Sequence, residues 1–255
     1  MGMRFLTLML AGASLWAQES REKEAALGAQ LAKEVESHTT AVDNAFVREA
    51  VDRLGQRLAV FFSPVTFKFS VITDRPVGRT FEPIALPGGY IFVSTELILA
   101  ARDEAEFAGM LAHAMARSAA PPAGPRVFTN GEIPLVWVGW AGNGDNEVAV
   151  PLSLVKVRRA AELDADRKAV QAMAAAGFDP DALVRYVERT QTVGSVFSSL
   201  PPRADRVAAL RQAIRKFPPG TYSMSEEFSR IQDAVRMPPT PVAHTPSLYR
   251  ADERH

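Results

Sequence analysis

Apolar residues recur at helical spacing along the first part of the chain. The charged segment Glu22 to Ser37 predicts one helix. A second helix is predicted by a stripe of apolar residues three or four positions apart: Val47, Val51, Leu54, Leu58 and Phe61. The pattern then changes to alternation over Val65 to Ile72, which is typical of a half-buried strand. The turn Pro87-Gly-Gly leads into a second predicted strand, Tyr90 to Val93.

Helical patterns dominate the rest of the chain. Ser94 or Thr95 is a candidate cap for a helix that follows the second strand. Further helices are predicted up to Ala176, over Asp179 to Thr190 and over Ala204 to Phe217. This order predicts an α+β domain that is mostly helical and has a small sheet.

Composition sets outer limits on the function. The chain has 255 residues, 47% of them hydrophobic, which is enough for one sizeable core. Lysine plus arginine, at 29, equals aspartate plus glutamate, at 29, so no basic stripe points to nucleic acid. The absence of cysteine excludes disulfides and cysteine-based metal sites.

The two ends of the sequence differ from its middle. Residues 1–17 carry one arginine, a short apolar stretch and a final alanine, which predicts a signal peptide and a periplasmic or secreted protein. An uncleaved N-terminal anchor is the other interpretation, although the stretch is short for a membrane span. The predicted domain covers residues 18–217. Residues 218–255 are proline-rich and predict a partly disordered tail with one helix at Ser225 to Arg236.

His113 lies in an apolar helical run, within the string His113-Ala-Met-Ala-Arg117. A single histidine in such a run is by itself typical of a core residue. The string nevertheless corresponds to His-Glu-x-x-His, in which two histidines on one helix face bind zinc and the glutamate activates water. Ala114 cannot act as a general base, and Arg117 has no lone pair to offer a metal. The pattern is that of a zinc peptidase with an altered motif.

Other strings resemble metallopeptidase family 48, which includes the CAAX prenyl proteases, HtpX and the BepA-type proteins. The resemblance covers roughly Glu24 to Phe217, and it implies a gluzincin-like domain. The strings are Ala85-Leu-Pro-Gly-Gly-Tyr-Ile-Phe-Val93, Glu104-Ala-Glu-Phe-Ala-Gly-Met-Leu-Ala-His113, Glu162-Leu-Asp-Ala-Asp166 and Ala176-Gly-Phe-Asp-Pro180.

The resemblance implies roles for the acidic pair of the third string. Glu162 matches the third zinc ligand of the family, and Asp166 matches the group that orients the first ligand histidine. Their spacing independently places both residues on one helix face, although a solvated acidic face would have the same spacing. Arg206 matches an arginine that supports the family's site, whereas Leu200 stands where the family has a histidine.

The residual metal ligands are therefore His113 and Glu162, and catalytic zinc needs three protein ligands. His244 could serve as a third ligand only if the aperiodic tail became ordered, which would cost conformational entropy. No cofactor is expected, and zinc is expected if the family activity is retained. Arg117 lies one helical turn after His113, which predicts that it forms an ion pair with Glu162 in place of the metal.

The segment Arg126 to Pro151, which contains Trp137 and Trp140, has two interpretations. It is either a lid or binding loop, or an apolar segment packed on the domain or on a membrane surface. The expected function is an exported, inactive family member that binds polypeptide or regulates an envelope protein. The alternative is an active zinc endopeptidase with an atypical site that acts on envelope proteins.

Overall fold

The computed structural model describes residues 22–73, 82–120, 135–139, 147–191, 200–217, 222 and 226–236, with the backbone alone for 135–139 and 147–155. The predicted signal peptide at 1–17, Trp140 and most of the predicted tail lie outside these ranges. Within the ranges, no helix combines the length and the apolar character needed to cross a bilayer.

The described chain is mostly helical. Its helices are α1 (residues 22–37), α2 (Ala45–Ala59), α3 (Thr95–Ala100), α4 (Glu104–Ser118), α5 (Leu152–Ala175), α6 (Asp181–Thr190), α7 (Arg203–Ile214) and α8 (Glu227–Arg236). Its strands are β1 (Lys68–Ile72), β2 (Ile84–Leu86), β3 (Tyr90–Ser94), β4 (Leu135–Gly139) and β5 (Glu147–Pro151). The predicted α+β class is confirmed.

The strands form a small mixed sheet and a separate hairpin. The sheet has the order β1-β3-β2, in which β1 is parallel to β3 and β2 is antiparallel to it. Strands β4 and β5 pair antiparallel with each other. Strand β2 was not predicted, because three residues are too few to show a periodic pattern.

The sheet is covered on both faces. Val71, Ile91 and Val93 belong to the main core, whereas Ile72 and Phe92 form a second small cluster with Ala32 of α1. This division follows from the alternation of side chains along a strand. Helix α1 therefore covers one face of the sheet, and the other helices pack around the main core.

Helix α2 buries its predicted stripe with one exception. Val47, Val51, Leu54 and Leu58 are all buried, but Phe61 is 44% exposed. The α-helix ends at Ala59 and continues as a 3-10 turn over Val60–Phe62. At this end of the helix Phe62 is buried and Phe61 is not.

Helix α4 is the central helix of the core. Its N-cap is Asp103, whose side chain accepts a hydrogen bond from the backbone N–H of Glu106 at 2.8 Å. All residues from Glu106 to Ala116 are buried. Gly109 permits close packing here, because a Cβ at this position would lie 3.0 Å from the Cβ of Leu183. His113 is therefore held within a tightly packed layer.

The turn between β2 and β3 is fixed by its glycines and by α4. Gly88 and Gly89 have φ angles of 73° and 87°, a region that favours glycine. The hydroxyl of Ser118, at the end of α4, donates to the carbonyl of Leu86 at 2.5 Å and accepts from the N–H of Gly89 at 3.1 Å. Strand β3 then ends at Ser94, which is the N-cap of α3.

Helix α8 lies beyond the predicted domain end at residue 217, yet it packs on the core. Phe228 and Ile231 are buried, and the Phe228 ring lies 5.4 Å from the ring of Phe107. The side-chain amide of Gln232 donates to the carbonyls of Ile98 at 2.9 Å and Ala101 at 2.7 Å. A helix of the predicted tail is thus part of the folded domain.

Candidate functional site

The site forms where α4 packs against α5. His113 projects from α4, and Glu162 and Asp166 project from one face of α5, since residues four apart on a helix lie one above the other. His113 is 1% exposed, Glu162 8% and Asp166 0%. The structure therefore brings together the three residues that the sequence placed at one site.

Both ring nitrogens of His113 face a carboxylate. Nδ1 lies 2.8 Å from Oδ1 of Asp166, and Nε2 lies 3.1 Å from Oε2 of Glu162. Burial alone would lower the pKa of His113, but the charge of Asp166 and the hydrogen bonds to both carboxylates raise the pKa above its ordinary value. In the protonated ring both nitrogens donate, which satisfies both carboxylates.

Arg117 reaches the other oxygen of Glu162. Its Nε lies 3.3 Å from Oε1 of Glu162, so the ion pair predicted from the sequence is present. The Arg117 side chain is 40% exposed and the Glu162 side chain 11%. Burial alone would raise the pKa of Glu162, but the hydrogen bond from His113 and the charge of Arg117 lower the pKa below its ordinary value.

Arg206, from α7, holds Asp166 from the opposite side. Its Nε donates to Oδ2 at 2.7 Å and its Nη2 to Oδ1 at 3.0 Å, which is the bidentate geometry typical of arginine and carboxylate. Burial would raise the pKa of Asp166, but His113 and Arg206 together lower it to about 2. Asp166 is therefore ionised at neutral pH.

Arg206 also joins two more distant parts of the chain. Its Nη1 donates to Oε1 of Glu82, just before β2, and to Oε1 of Gln191, just after α6, both at 3.2 Å. Burial alone would lower the pKa of Arg206, but the charges of Asp166 and Glu82 raise it. Glu82 and Gln191 could not be predicted from the sequence, because neither belongs to a motif or shares a helix face with the other site residues.

These groups form a cluster of ionisable side chains, which we call the ion cluster. Its members are the arginines Arg117 and Arg206, the carboxylates Glu82, Glu162 and Asp166, and His113 between them. Each charge that is removed from water contacts at least one opposite charge, which is the condition under which buried charges are tolerated.

The donor set of this site does not fit a catalytic zinc ion. His113 and Glu162 are two candidate ligands, and the guanidinium of Arg117 occupies one face of the Glu162 carboxylate. Among the residues that the structure describes, no group of three histidine, cysteine, aspartate or glutamate side chains could hold a metal. His38 is exposed in the turn that follows α1, and His244 and His255 lie outside the described ranges.

Two further residues singled out from the sequence have hydrocarbon side chains. Ala114 is 1% exposed and is packed in the core. Leu200 is half-buried in the segment that precedes α7. Neither side chain carries a group that transfers a proton or binds a metal.

Comparison with known proteins gives the same family as the motifs. The family model described as Peptidase family M48 matches residues 142–214, which include Glu162, Asp166 and Arg206 but not the altered motif on α4. A curated protein of Vibrio cholerae serotype O1 (strain ATCC 39315 / El Tor Inaba N16961), named beta-barrel assembly-enhancing protease, is 25% identical over 203 residues. That alignment covers 70% of this chain and 41% of the relative, so the chain spans about two fifths of the relative's length.

The fold and these matches make the chain similar to peptidase family M48, whose members are generally zinc-dependent. In this chain the string on α4 reads His113-Ala-Met-Ala-Arg117.

Proposed function

We propose that this chain is an exported, catalytically inactive member of peptidase family M48 that binds polypeptide. The observation that carries the proposal is the state of Glu162. One of its oxygens contacts Arg117 at 3.3 Å and the other contacts His113 at 3.1 Å. A carboxylate engaged in this way has both of its oxygens committed to internal partners.

The chemistry of hydrolysis supports the same conclusion. Ala114 provides no general base, and loss of a general base typically reduces the rate by about a hundredfold to ten thousandfold. Arg117 supplies a fixed positive charge where the family's motif has a ligand histidine. An active enzyme with an atypical site would need a base and a third ligand from another source.

The edge of the sheet supports polypeptide binding. In the described part of the chain β2 pairs with β3 alone, so its other side is an edge to which an extended peptide can add as a strand. Arg206 holds Glu82 just before this strand, and Ser118 holds Leu86 at its end. The ion cluster and α4 thus fix both ends of the candidate binding edge.

Export is proposed from the N-terminal sequence, which has the features of a signal peptide. The name of the Vibrio cholerae relative refers to beta-barrel assembly, and this agrees with a role in the cell envelope. An envelope protein with an unfolded or extended segment is accordingly the proposed partner.

Bound zinc is the first measurement. The untagged protein is dialysed against trace zinc, and the metal content per molecule is measured by elemental mass spectrometry. We expect far less than one zinc per molecule for the natural sequence. The matched variant Arg117→His, which adds a third ligand, should approach one zinc per molecule. Stoichiometric zinc in the natural sequence, with zinc-dependent cleavage that is lost in His113→Ala, would overturn the proposal.

Polypeptide binding is tested separately by hydrogen exchange. An unfolded polypeptide such as casein is added, and exchange is compared at the backbone amides of β2 and of the buried helix α2. Exchange should slow at residues 84–86 and stay unchanged in α2, because strand addition protects edge amides. No change in β2 at saturating polypeptide would contradict binding at this edge.

A further inference from the structure

The hairpin of β4 and β5 has an unusually apolar sequence. Its strands read Leu-Val-Trp-Val-Gly over Leu135–Gly139 and Glu-Val-Ala-Val-Pro over Glu147–Pro151. The cross-strand register pairs Val136 with Val150, Trp137 with Ala149 and Val138 with Val148. Apart from Glu147, which pairs with Gly139 at one end of the register, neither strand contains a charged or polar residue.

The register places apolar residues on both faces of the hairpin. Since side chains alternate between faces, one face receives the positions of Val136, Val138, Val148 and Val150. The other face receives Leu135, Trp137, Ala149 and Pro151. Strands with one solvated face normally alternate apolar with polar residues, and this hairpin does not.

In the described part of the chain, the element that the hairpin contacts most is α5. Its principal contacts are between its own strands and with α5, which continues directly from β5. A two-stranded hairpin is at best marginally stable in water, and it needs another surface against which to bury its apolar residues.

The start of α5 indicates what that surface is. Lys156 and Arg158 are exposed, and Arg159 follows them within the same turn. No acidic residue occurs between Glu147 and Glu162. An apolar segment with tryptophan, followed at once by a basic turn, matches a boundary between hydrocarbon and anionic headgroups.

We propose that the β4–β5 hairpin inserts its apolar strands into the boundary of an anionic lipid surface, with Lys156 and Arg158 at the headgroup phosphates. Tryptophan favours this depth, because its ring is apolar and its N–H is polar. Glu162 lies ten residues after the start of α5, which is roughly 15 Å along the helix. Insertion of the hairpin would therefore hold the ion cluster and the sheet edge close to the membrane. This inference does not depend on whether the chain binds zinc or polypeptide.

Trp137 provides a direct test. The sequence has three tryptophans, at positions 16, 137 and 140, so the full chain with Trp16→Phe and Trp140→Phe reports from β4 alone. Its emission is measured with vesicles of phosphatidylcholine and with vesicles of phosphatidylcholine mixed with phosphatidylglycerol. With the anionic vesicles we expect the emission maximum to shift to shorter wavelength and the emission to be quenched by brominated acyl chains. With the neutral vesicles we expect both the shift and the quenching to be much smaller.

Charge reversal provides the matched comparison. Lys156→Glu with Arg158→Glu should weaken binding to anionic vesicles by roughly tenfold or more. Arg215→Glu with Lys216→Glu makes the same change of charge at exposed positions after α7, and it should leave binding nearly unchanged. The milder pair Lys156→Gln and Arg158→Gln should give an intermediate loss, and circular dichroism should show that every variant is folded.

Three results would overturn the proposal. The first is no change of Trp137 emission with either kind of vesicle, which would leave a protein partner as the occupant of the hairpin. The second is equal binding to neutral and anionic vesicles. The third is equal loss in the two charge-reversed variants. Sedimentation with vesicles would also report binding through the apolar residues 1–17. The emission of Trp137 is measured instead, because it reports the environment of β4.

Discussion

Replacing Arg117 by glutamine tests whether its guanidinium stabilises the fold at the position of the family's second ligand histidine. The variant Arg117→Gln keeps much of the side-chain volume and removes the charge that faces Glu162. A fully exposed ion pair contributes about 0.2–1 kcal/mol, whereas removing one partner of a buried pair costs about 3–5 kcal/mol. Arg117 is 40% exposed and Glu162 11%. Because Glu162 also keeps its contact with His113, we expect a loss of about 1–2 kcal/mol.

The loss is measured as the free energy of unfolding in urea and as the melting temperature. For a domain of this size, about 1–2 kcal/mol corresponds to a fall of roughly 2–8 °C. The matched control is Arg211→Gln, which removes a pair with Glu188. That pair is shorter, at 2.6 Å, but its side chains are 60% and 43% exposed. The control should lose no more than about 1 kcal/mol.

A double-mutant cycle isolates the pair itself. Glu162→Gln alone also disturbs His113, so the interaction energy is taken from Arg117→Gln, Glu162→Gln and the double variant together. We expect the two changes to be clearly less costly together than the sum of the single changes. A loss below about 0.5 kcal/mol for Arg117→Gln, or additive changes, would refute the idea that burial makes this pair important.

Three further results are expected. Arg206→Met should lower the free energy of unfolding by about 3–5 kcal/mol in urea titration, because it leaves the fully buried Asp166 without its bidentate donor. The pKa of Asp166 is lowered from 3.8 to about 2, so its contribution to stability is present above pH 3.8 and is lost as the pH falls towards 2; Asp166→Asn should flatten this part of the pH profile. Phe228→Ala should cost about 3–5 kcal/mol if α8 belongs to the domain, whereas Phe61→Ala, at a half-exposed side chain, should cost far less.

The helices could be predicted from the sequence because each carries its own periodic pattern. Helix α2 shows both the success and its limit, since the stripe from Val47 to Leu58 is buried and its continuation to Phe61 is not. The change to a 3-10 turn after Ala59 leaves no mark in the spacing of apolar residues. The packing of α8 could not be predicted from the sequence either, because it depends on Phe107 and on carbonyls more than 100 residues away.

Some residues of the site could be predicted from the sequence and others could not. His113, Glu162 and Asp166 could be assigned from motif strings on two helices, and Arg117 followed from its spacing to His113. Glu82 and Gln191 could not be assigned, since they reach the site through Arg206 and lie in segments without a motif. Local patterns identify residues that share an element, whereas contacts made by a long side chain between elements require the three-dimensional structure.

The ion cluster balances the carboxylates that are buried between α4 and α5. A buried Glu162 left by the loss of a metal would need a new positive partner, and Arg117 supplies one from the neighbouring turn of α4. Asp166 already has Arg206, so its charge is balanced whether or not a metal is present. The two arginines therefore compensate different carboxylates from opposite sides, and His113 links the two pairs through its ring nitrogens. Each buried carboxylate of the ion cluster thus has a partner on another helix, which stabilises the packing of α4 against α5.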